Sequence, residues 1–356
     1  MKQPVDQLIR PDILAMKAYP VADAAGFIKL DAMENPWRLS ESLLAELGSL
    51  LAEAHINRYP DPAGGGLKEM LRVTAGIPAG ADILLGNGSD ELITLITQAL
   101  ARPGATVMAL EPSFVMYRLN AVFSRVNYVG VPLNQDFSLN LPVLLDAIAK
   151  NQPAVIFLAY PNNPTGNRYA REDVLAVLET ARGLVVIDEA YGPFADDSFM
   201  SLAGSMDNLI VMRTLSKVGL AGIRLGYAAG QPDWIHELDK VRAPYNVNVL
   251  TQITARFALT HSGVFEEQAS QLRKERSHLA EALSAYPGVT VYPSEANFLT
   301  MRLPDADLLY AWLKSRRILI KNLGGMHPML ENCLRFTVGS PEENRAVIAA
   351  LDEYFQ

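Results

Sequence analysis

The stretch TLSKVGLAGIRLGY (214–227) sets Lys217 directly after Ser216, ahead of small and apolar residues, with Arg224 seven positions on. A lysine beside cationic or phosphate-binding groups and shielded from water loses basicity, which makes its amine a usable nucleophile. Ser216 and Arg224 can donate hydrogen bonds to a phosphate, and the glycines between them permit close backbone approach. LVVIDEAY (184–191) closes an apolar run with Asp188, and Tyr191 follows three residues later. Asp188 could cap a helix, but Gly192 and Pro193 do not begin one convincingly, which favours a buried acid facing a protonated ring nitrogen. PNNPTG (161–166) projects Asn163, although on its own it reads as a turn rich in turn formers. GNGSDELI (86–93) leads into a helix starting near Ser89, whose free N–H groups attract phosphate. Asp90 and Glu91 would equally suit a plain helix start. The stretch is not a P-loop, since no G-K-[ST] follows, and it lacks the third glycine of G-x-G-x-x-G.

Together these residues supply an amine for a carbonyl, an acid for a pyridinium nitrogen and donors for a phosphate. That inventory matches pyridoxal phosphate (PLP), whose protein partners are a lysine amine and an acid at the ring nitrogen.

The elements that must position them are legible as well. TVMAL (106–110), AVIFLAY (154–160), LVVIDEAY and LIVMRTLS (209–216) are continuous apolar runs, each followed by a polar or glycine-rich turn. Between them ELITLITQALA (91–101) and REDVLAVLETA (171–181) have helical periodicity. Such alternation predicts a mostly parallel sheet covered on both faces, with ligands bound outside the carboxyl ends of its strands. Beyond about residue 246 a long helix is predicted from ITARFALTHSGVFEEQASQLRKERSHLAEALSAY, followed by short strands in VTVYP, NFLTMRL and CLRFTV. The reading is an α/β protein with a large domain over 41–245. A smaller α+β domain combines 1–40 with 246–356. No internal repeat, low-complexity segment or long linker is present.

The chain has 356 residues, 49% hydrophobic and 20% charged, enough for a substantial core in two domains. A net charge of −8 makes a nucleic-acid or anionic-membrane partner unfavourable. Cys333 is the one cysteine, so no intrachain disulfide or cysteine-based zinc cluster is possible, and no metal site is expected. The first residues interleave charges with apolar side chains and lack a signal-peptide core, and no window is long and apolar enough to span a bilayer. A soluble cytoplasmic protein is predicted.

The motifs, in order, are ENP (34–36), NRYPDP (57–62), GNGSDE (86–91), EPSFVMY (111–117), YPNNPTG (160–166), VIDEAY (186–191), TLSKVGLAGIRLGY and CLRFTVG (333–339). Each is weak alone. Their order and spacing over nearly the whole chain resemble the fold-type I PLP-dependent aminotransferases, in particular the branch acting on histidinol phosphate. The resemblance implies that Lys217 is the Schiff-base lysine, Asp188 its pyridinium partner, and Asn163 and Tyr191 the donors to the ring oxygen. It places Phe114 against the pyridine ring. It assigns the phosphate to the Ser89 and Asp90 backbone with the side chains of Ser216 and Arg224. Tyr59 would reach that phosphate from a partner subunit, implying a homodimer with shared active sites. Arg335 matches the arginine that holds the substrate's anionic group, and Glu34, Asn35 and Lys321 are placed at the substrate.

Three positions depart from the family pattern. Met33 replaces the first Asn of N-E-N-P, Lys321 stands where an arginine is common, and the spacing from lysine to arginine is one residue shorter than in many members. A lysine point charge cannot make a bidentate clamp. The implied activity exchanges an amino group between a phosphorylated amino alcohol, L-histidinol phosphate, and 2-oxoglutarate, giving glutamate in histidine biosynthesis. Alternatives on the same cofactor are an aromatic amino-acid aminotransferase and a threonine-phosphate decarboxylase. Outside the class stands a nicotinamide-dependent dehydrogenase, against which the incomplete glycine fingerprint argues. A non-catalytic DNA-binding regulator would need an added segment, for which the 40 or so residues before the first motif leave no room.

Overall fold

The computed structural model describes residues 4–18 and 20–356. A short strand β1 (Ile28–Lys29) precedes a seven-stranded sheet built from β2 (Asp82–Gly86), β3 (Thr106–Glu111), β4 (Asn127–Pro132), β5 (Val155–Ala159), β6 (Leu184–Asp188), β7 (Leu209–Thr214) and β8 (Gly226–Gly230). The strand order is β2-β8-β7-β6-β5-β3-β4. β7, β6, β5, β3 and β4 are mutually parallel, while β8 runs antiparallel to both its neighbours. The sheet is therefore mostly parallel, as the apolar runs predict.

Period-two alternation divides each strand between two covered faces. Val155, Phe157, Leu184, Val186, Ile210 and Met212 join one buried cluster with Leu92, Ile96 and Tyr117. Ile156, Leu158, Val185, Ile187 and Val211 join the other, with Leu144, Val174 and Leu178. Asp188 shares the parity of Leu184 and Val186, so its side chain is directed to the face that carries Tyr117. Register places Ala159 beside Asp188, and Asp188 beside Met212.

The later part of the chain adds β9 (Thr290–Val291), β10 (Phe298–Arg302), β11 (Ile318–Leu319), β12 (Lys321–Asn322) and β13 (Cys333–Thr337). Four of these form an antiparallel sheet in the order β12-β13-β10-β9, and β1 pairs in parallel with β11. The N-terminal segment is thus tied to the C-terminal third of the chain.

Two elements differ from the sequence prediction. The single long helix expected after residue 246 is two, Val249–Thr260 and Ser262–Ser284, broken at His261. Thr260, His261, Ser262 and Gly263 are all weak helix formers. His261 Nε2 also meets Glu46 Oε1 at 3.1 Å. The break lets the first helix pack on Glu41–Ala52 and Gly65–Ala75 while the second packs on Pro341–Phe355. The run LIVMRTLS ends as a strand at Thr214, and Ser216–Leu220 forms a wide turn of π type.

Candidate active site

The parallel strands deliver their C-terminal residues to one cleft. It is lined by Ser89, Asp90, Phe114, Asn163, Asp188, Tyr191, Ser216, Lys217 and Arg224, nine residues singled out in the sequence, and also by Met33, Tyr117 and Thr214.

Lys217 lies on the wide turn after β7, and its Nζ donates to the carbonyl of Ala32 at 3.2 Å. Burial, followed by the neighbouring Arg335 guanidinium, pushes its ammonium down to about 8. Both effects disfavour the charged form. Asp188 ends β6 and is 4% exposed. Burial pushes its carboxyl up to about 7, opposed by the hydrogen bonds that its anion accepts. Tyr117 donates its hydroxyl to Asp188 Oδ2 at 2.8 Å, and the Ala190 N–H donates to Oδ1 at 3.1 Å. The Tyr117 hydroxyl, held well above its ordinary range by burial and then by Asp188, stays a donor.

The PNNPTG turn divides its labour between two asparagines. Asn162 is fully buried and locks the turn, donating to Pro112 O at 3.0 Å and Thr165 Oγ1 at 2.7 Å while accepting from Ser113 Oγ at 2.7 Å. Asn163 faces the cleft. It donates to the Tyr191 hydroxyl at 3.1 Å and accepts from Arg335 Nη1 at 2.6 Å. Arg335, buried on β13, also donates from Nη2 to Asp31 O at 2.8 Å. A hydrogen-bonded chain therefore runs from Arg335 through Asn163 to Tyr191.

At the opposite end the helix Ser89–Ala99 begins without a capping side chain, leaving its first N–H groups directed at the cleft. Gly88 has φ +83, and a Cβ there would lie 2.6 Å from Arg224 Nη2, so the guanidinium rests on bare backbone. Gly226 is needed for the same approach from below, because its Cβ would stand 2.6 Å from Gly88 C and 2.7 Å from Ser89 N. Arg224 Nη1 reaches Ser216 Oγ at 3.4 Å, and Nη2 reaches Asp90 Oδ2 at 3.2 Å. This cradle of helix N–H groups, serine and arginine suits a phosphate. Among the described residues no group of three or more His, Cys, Asp or Glu side chains is placed to hold a metal.

Other sequence candidates lie outside the cleft. Asn35 fastens the lysine turn from below, donating to Val218 O and Gln268 Oε1, each at 2.9 Å. Glu34 pairs with Lys29. Lys321 is the cross-strand neighbour of Arg335. Tyr59 is 80% exposed and stacks on Tyr245 with ring centroids 4.3 Å apart.

Tyr117 is the site residue the sequence reading left without a role. Its signal is present, for it stands three residues after Phe114 in EPSFVMY. Its ring lies edge-on to Phe114 at 5.7 Å and stacked on Phe157 at 4.9 Å. Tyr117→Phe keeps this packing and removes one donor from Asp188. It should lower kcat about tenfold, since a hydrogen bond to a charged group contributes about 1.5–3 kcal/mol. Steady-state rates alongside thermal unfolding of the same variant check this, and a kcat within twofold of the parent contradicts it.

A lysine, an acid and a phosphate cradle gathered at the strand ends of this sheet match the fold-type I PLP-dependent enzymes. The chain belongs to the aminotransferase class I and II family, which it matches over residues 26–351. It is 63% identical to a histidinol-phosphate aminotransferase of Chromobacterium violaceum over 355 residues, covering 100% of both chains. A second relative, histidinol-phosphate aminotransferase 1 of Ralstonia nicotianae, is 56% identical over 349 residues, covering 97% of this chain and 93% of that one. The fold is that of the histidinol-phosphate aminotransferase of Sinorhizobium meliloti, solved in complex with pyridoxal-5'-phosphate. The TM-score is 0.86 at 24% identity, with 98% and 97% of the two chains covered. No helix among the described residues is long and apolar enough to cross a membrane.

Proposed function

We propose that this protein is a transaminase that moves the amino group of L-histidinol phosphate to 2-oxoglutarate with PLP as its cofactor. Identity of 63% along the full length of a histidinol-phosphate aminotransferase carries the substrate assignment. The cleft supports the cofactor. The bare Gly88 backbone and Arg224 form a cradle that a Cβ would fill, and Asp188 is a buried acid that a cationic ring would stabilise. The dehydrogenase reading falls with the family assignment.

When bound, PLP supplies an aldehyde for the lysine amine and a protonated ring that withdraws electron density from the substrate α-carbon. Lys217, depressed to about 8, keeps a sizeable neutral fraction at physiological pH, and in that form it can take a proton from that α-carbon and return it. Asp188, fixed by Tyr117 and Ala190, holds the proton on the ring nitrogen. Asn163 and Tyr191 orient the ring oxygen, Phe114 covers the ring face, and Ser89, Asp90, Ser216 and Arg224 hold the phosphate. Arg335 receives the anionic group of either substrate, because a guanidinium fork matches phosphate and carboxylate alike. Lys321, beside it, adds charge for the phosphate substrate.

Residues 41–245 act as the cofactor domain and 1–40 with 246–356 as the small domain, a division supported by the β1–β11 pairing, with the helix Val249–Thr260 packed on Glu41–Ala52 and Gly65–Ala75 as the joint between them. The protein works as a cytoplasmic homodimer with shared active sites. Tyr59 would complete the partner's phosphate site, in keeping with a tyrosine left 80% exposed in the single chain.

The donor should require its phosphate. Two charge-assisted contacts of about 1.5–3 kcal/mol each predict a preference for histidinol phosphate over histidinol on the order of a hundredfold or more in kcat/KM. Arg335→Lys should weaken both half-reactions, whereas Lys321→Ala should weaken the phosphate substrate selectively. A preference for phenylalanine or tyrosine over histidinol phosphate would replace this assignment with the aromatic one.

A further inference from the structure

Among the described residues, every one lining the cleft comes from positions 89–224 except Met33. Met33 lies on the strap that follows β1, and three successive strap carbonyls are each engaged. Asp31 O accepts from Arg335, Ala32 O from Lys217, and Met33 O from Asn297 Nδ2 at 3.0 Å. The Met33 N–H donates to Thr337 Oγ1 at 2.9 Å. These contacts use only backbone atoms of the strap, so they leave the choice of side chain at position 33 open.

The backbone at Met33 has φ +54. Among L-residues asparagine tolerates this left-handed region best, and a long unbranched side chain has no such advantage. A methionine there runs against local preference. Strained positions of this kind cluster at ligand sites, where an observed outlier justifies a functional hypothesis. The residue is 8% exposed, shares a buried apolar cluster with Tyr191 and Phe298, and lines the cleft. Ala32 O, one residue earlier on the strap, is 3.2 Å from Lys217 Nζ, so the strap passes beside the reactive amine.

We infer that Met33 is a specificity-determining residue whose thioether forms an apolar wall for the aromatic ring of the amino donor. This rests on the proposed function and deepens it. Thioethers are polarizable and make favourable contacts with aromatic rings. Glutamate, the other substrate of the cycle, has no ring and gains nothing from such a wall. An asparagine here would suit the backbone and offer the ring a polar surface instead.

The test compares Met33→Asn and Met33→Leu in both half-reactions. Met33→Asn should lower kcat/KM for histidinol phosphate about tenfold more than for glutamate, and Met33→Leu should keep the parental ratio within about threefold. The same order should hold for the dissociation constants of the two ligands on chains also carrying Lys217→Ala, whose turnover is too slow to disturb a binding measurement. That measurement separates recognition from chemistry. A Met33→Asn ratio equal to the parent's, in a protein that does turn over histidinol phosphate, overturns this inference alone. A parent protein that ignores histidinol phosphate overturns the proposed function instead. If Met33→Leu shifts the ratio as far as Met33→Asn, packing shape and not an apolar wall governs position 33, and the inference also fails.

Discussion

Lys217→Ala is expected to lower transamination on the order of 10⁴-fold, because on the proposed assignment it removes both the amine that would carry the cofactor and the base that would move the α-proton. The Ser89, Ser216 and Arg224 cradle remains, so the variant should still bind PLP without a covalent link. The position of the lysine makes the loss hard to replace. It stands on a wide turn pinned by Asn35, and its amine is directed across the cleft at the Ala32 carbonyl. Among the described residues no other lysine lines that cleft. Borohydride reduction of the loaded parent protein should leave a pyridoxyl group on the peptide containing Lys217. An adduct on Lys321 or another lysine would remove the basis of the assignment.

Asp188→Asn should bind PLP and yet lose on the order of 10²–10³-fold in kcat, the scale of removing one preorganised electrostatic group. The amide matches the carboxylate in shape, so Phe157, Ala159 and Met212 around it keep their packing. What disappears is the charge that keeps a proton on the ring nitrogen. The carboxyl is also pushed up to about 7 by burial in the chain alone. Such an acid is stable as an anion only when donors and a cation face it. Tyr117 and the Ala190 N–H supply the donors, and the proposed PLP ring would supply the cation. Near-normal turnover by Asp188→Asn would reduce this acid to a structural part.

Much of this site is legible in the sequence because the fold places chemistry at strand ends. Continuous apolar runs such as VIFLA and LVVI announce buried parallel strands, and whatever follows them, Asn163 or Asp188, must face the ligand side. The break at His261 escapes, since four weak helix formers inside a strong periodic pattern do not say whether the helix bends, continues or stops. Tyr117 escapes for another reason. Its partnership with Asp188 depends on strand parity and on where the helix Met116–Phe123 docks, neither of which a local motif contains. The strap is less legible still. Arg335 and Lys217 are held by carbonyls of Asp31 and Ala32, and a backbone carbonyl leaves no mark on residue identity. Tyr59 marks the opposite case, a residue given a role by resemblance that a single chain leaves facing solvent.

The central claim is best tested by one half-reaction, followed on the PLP-loaded protein with no keto acid present. L-Histidinol phosphate should discharge the visible absorbance stoichiometrically and yield one equivalent of imidazole acetol phosphate per site, and 2-oxoglutarate should then restore the absorbance with release of glutamate. Discharge by phenylalanine or tyrosine but not by histidinol phosphate, or release of carbon dioxide from threonine phosphate in its place, would contradict the account.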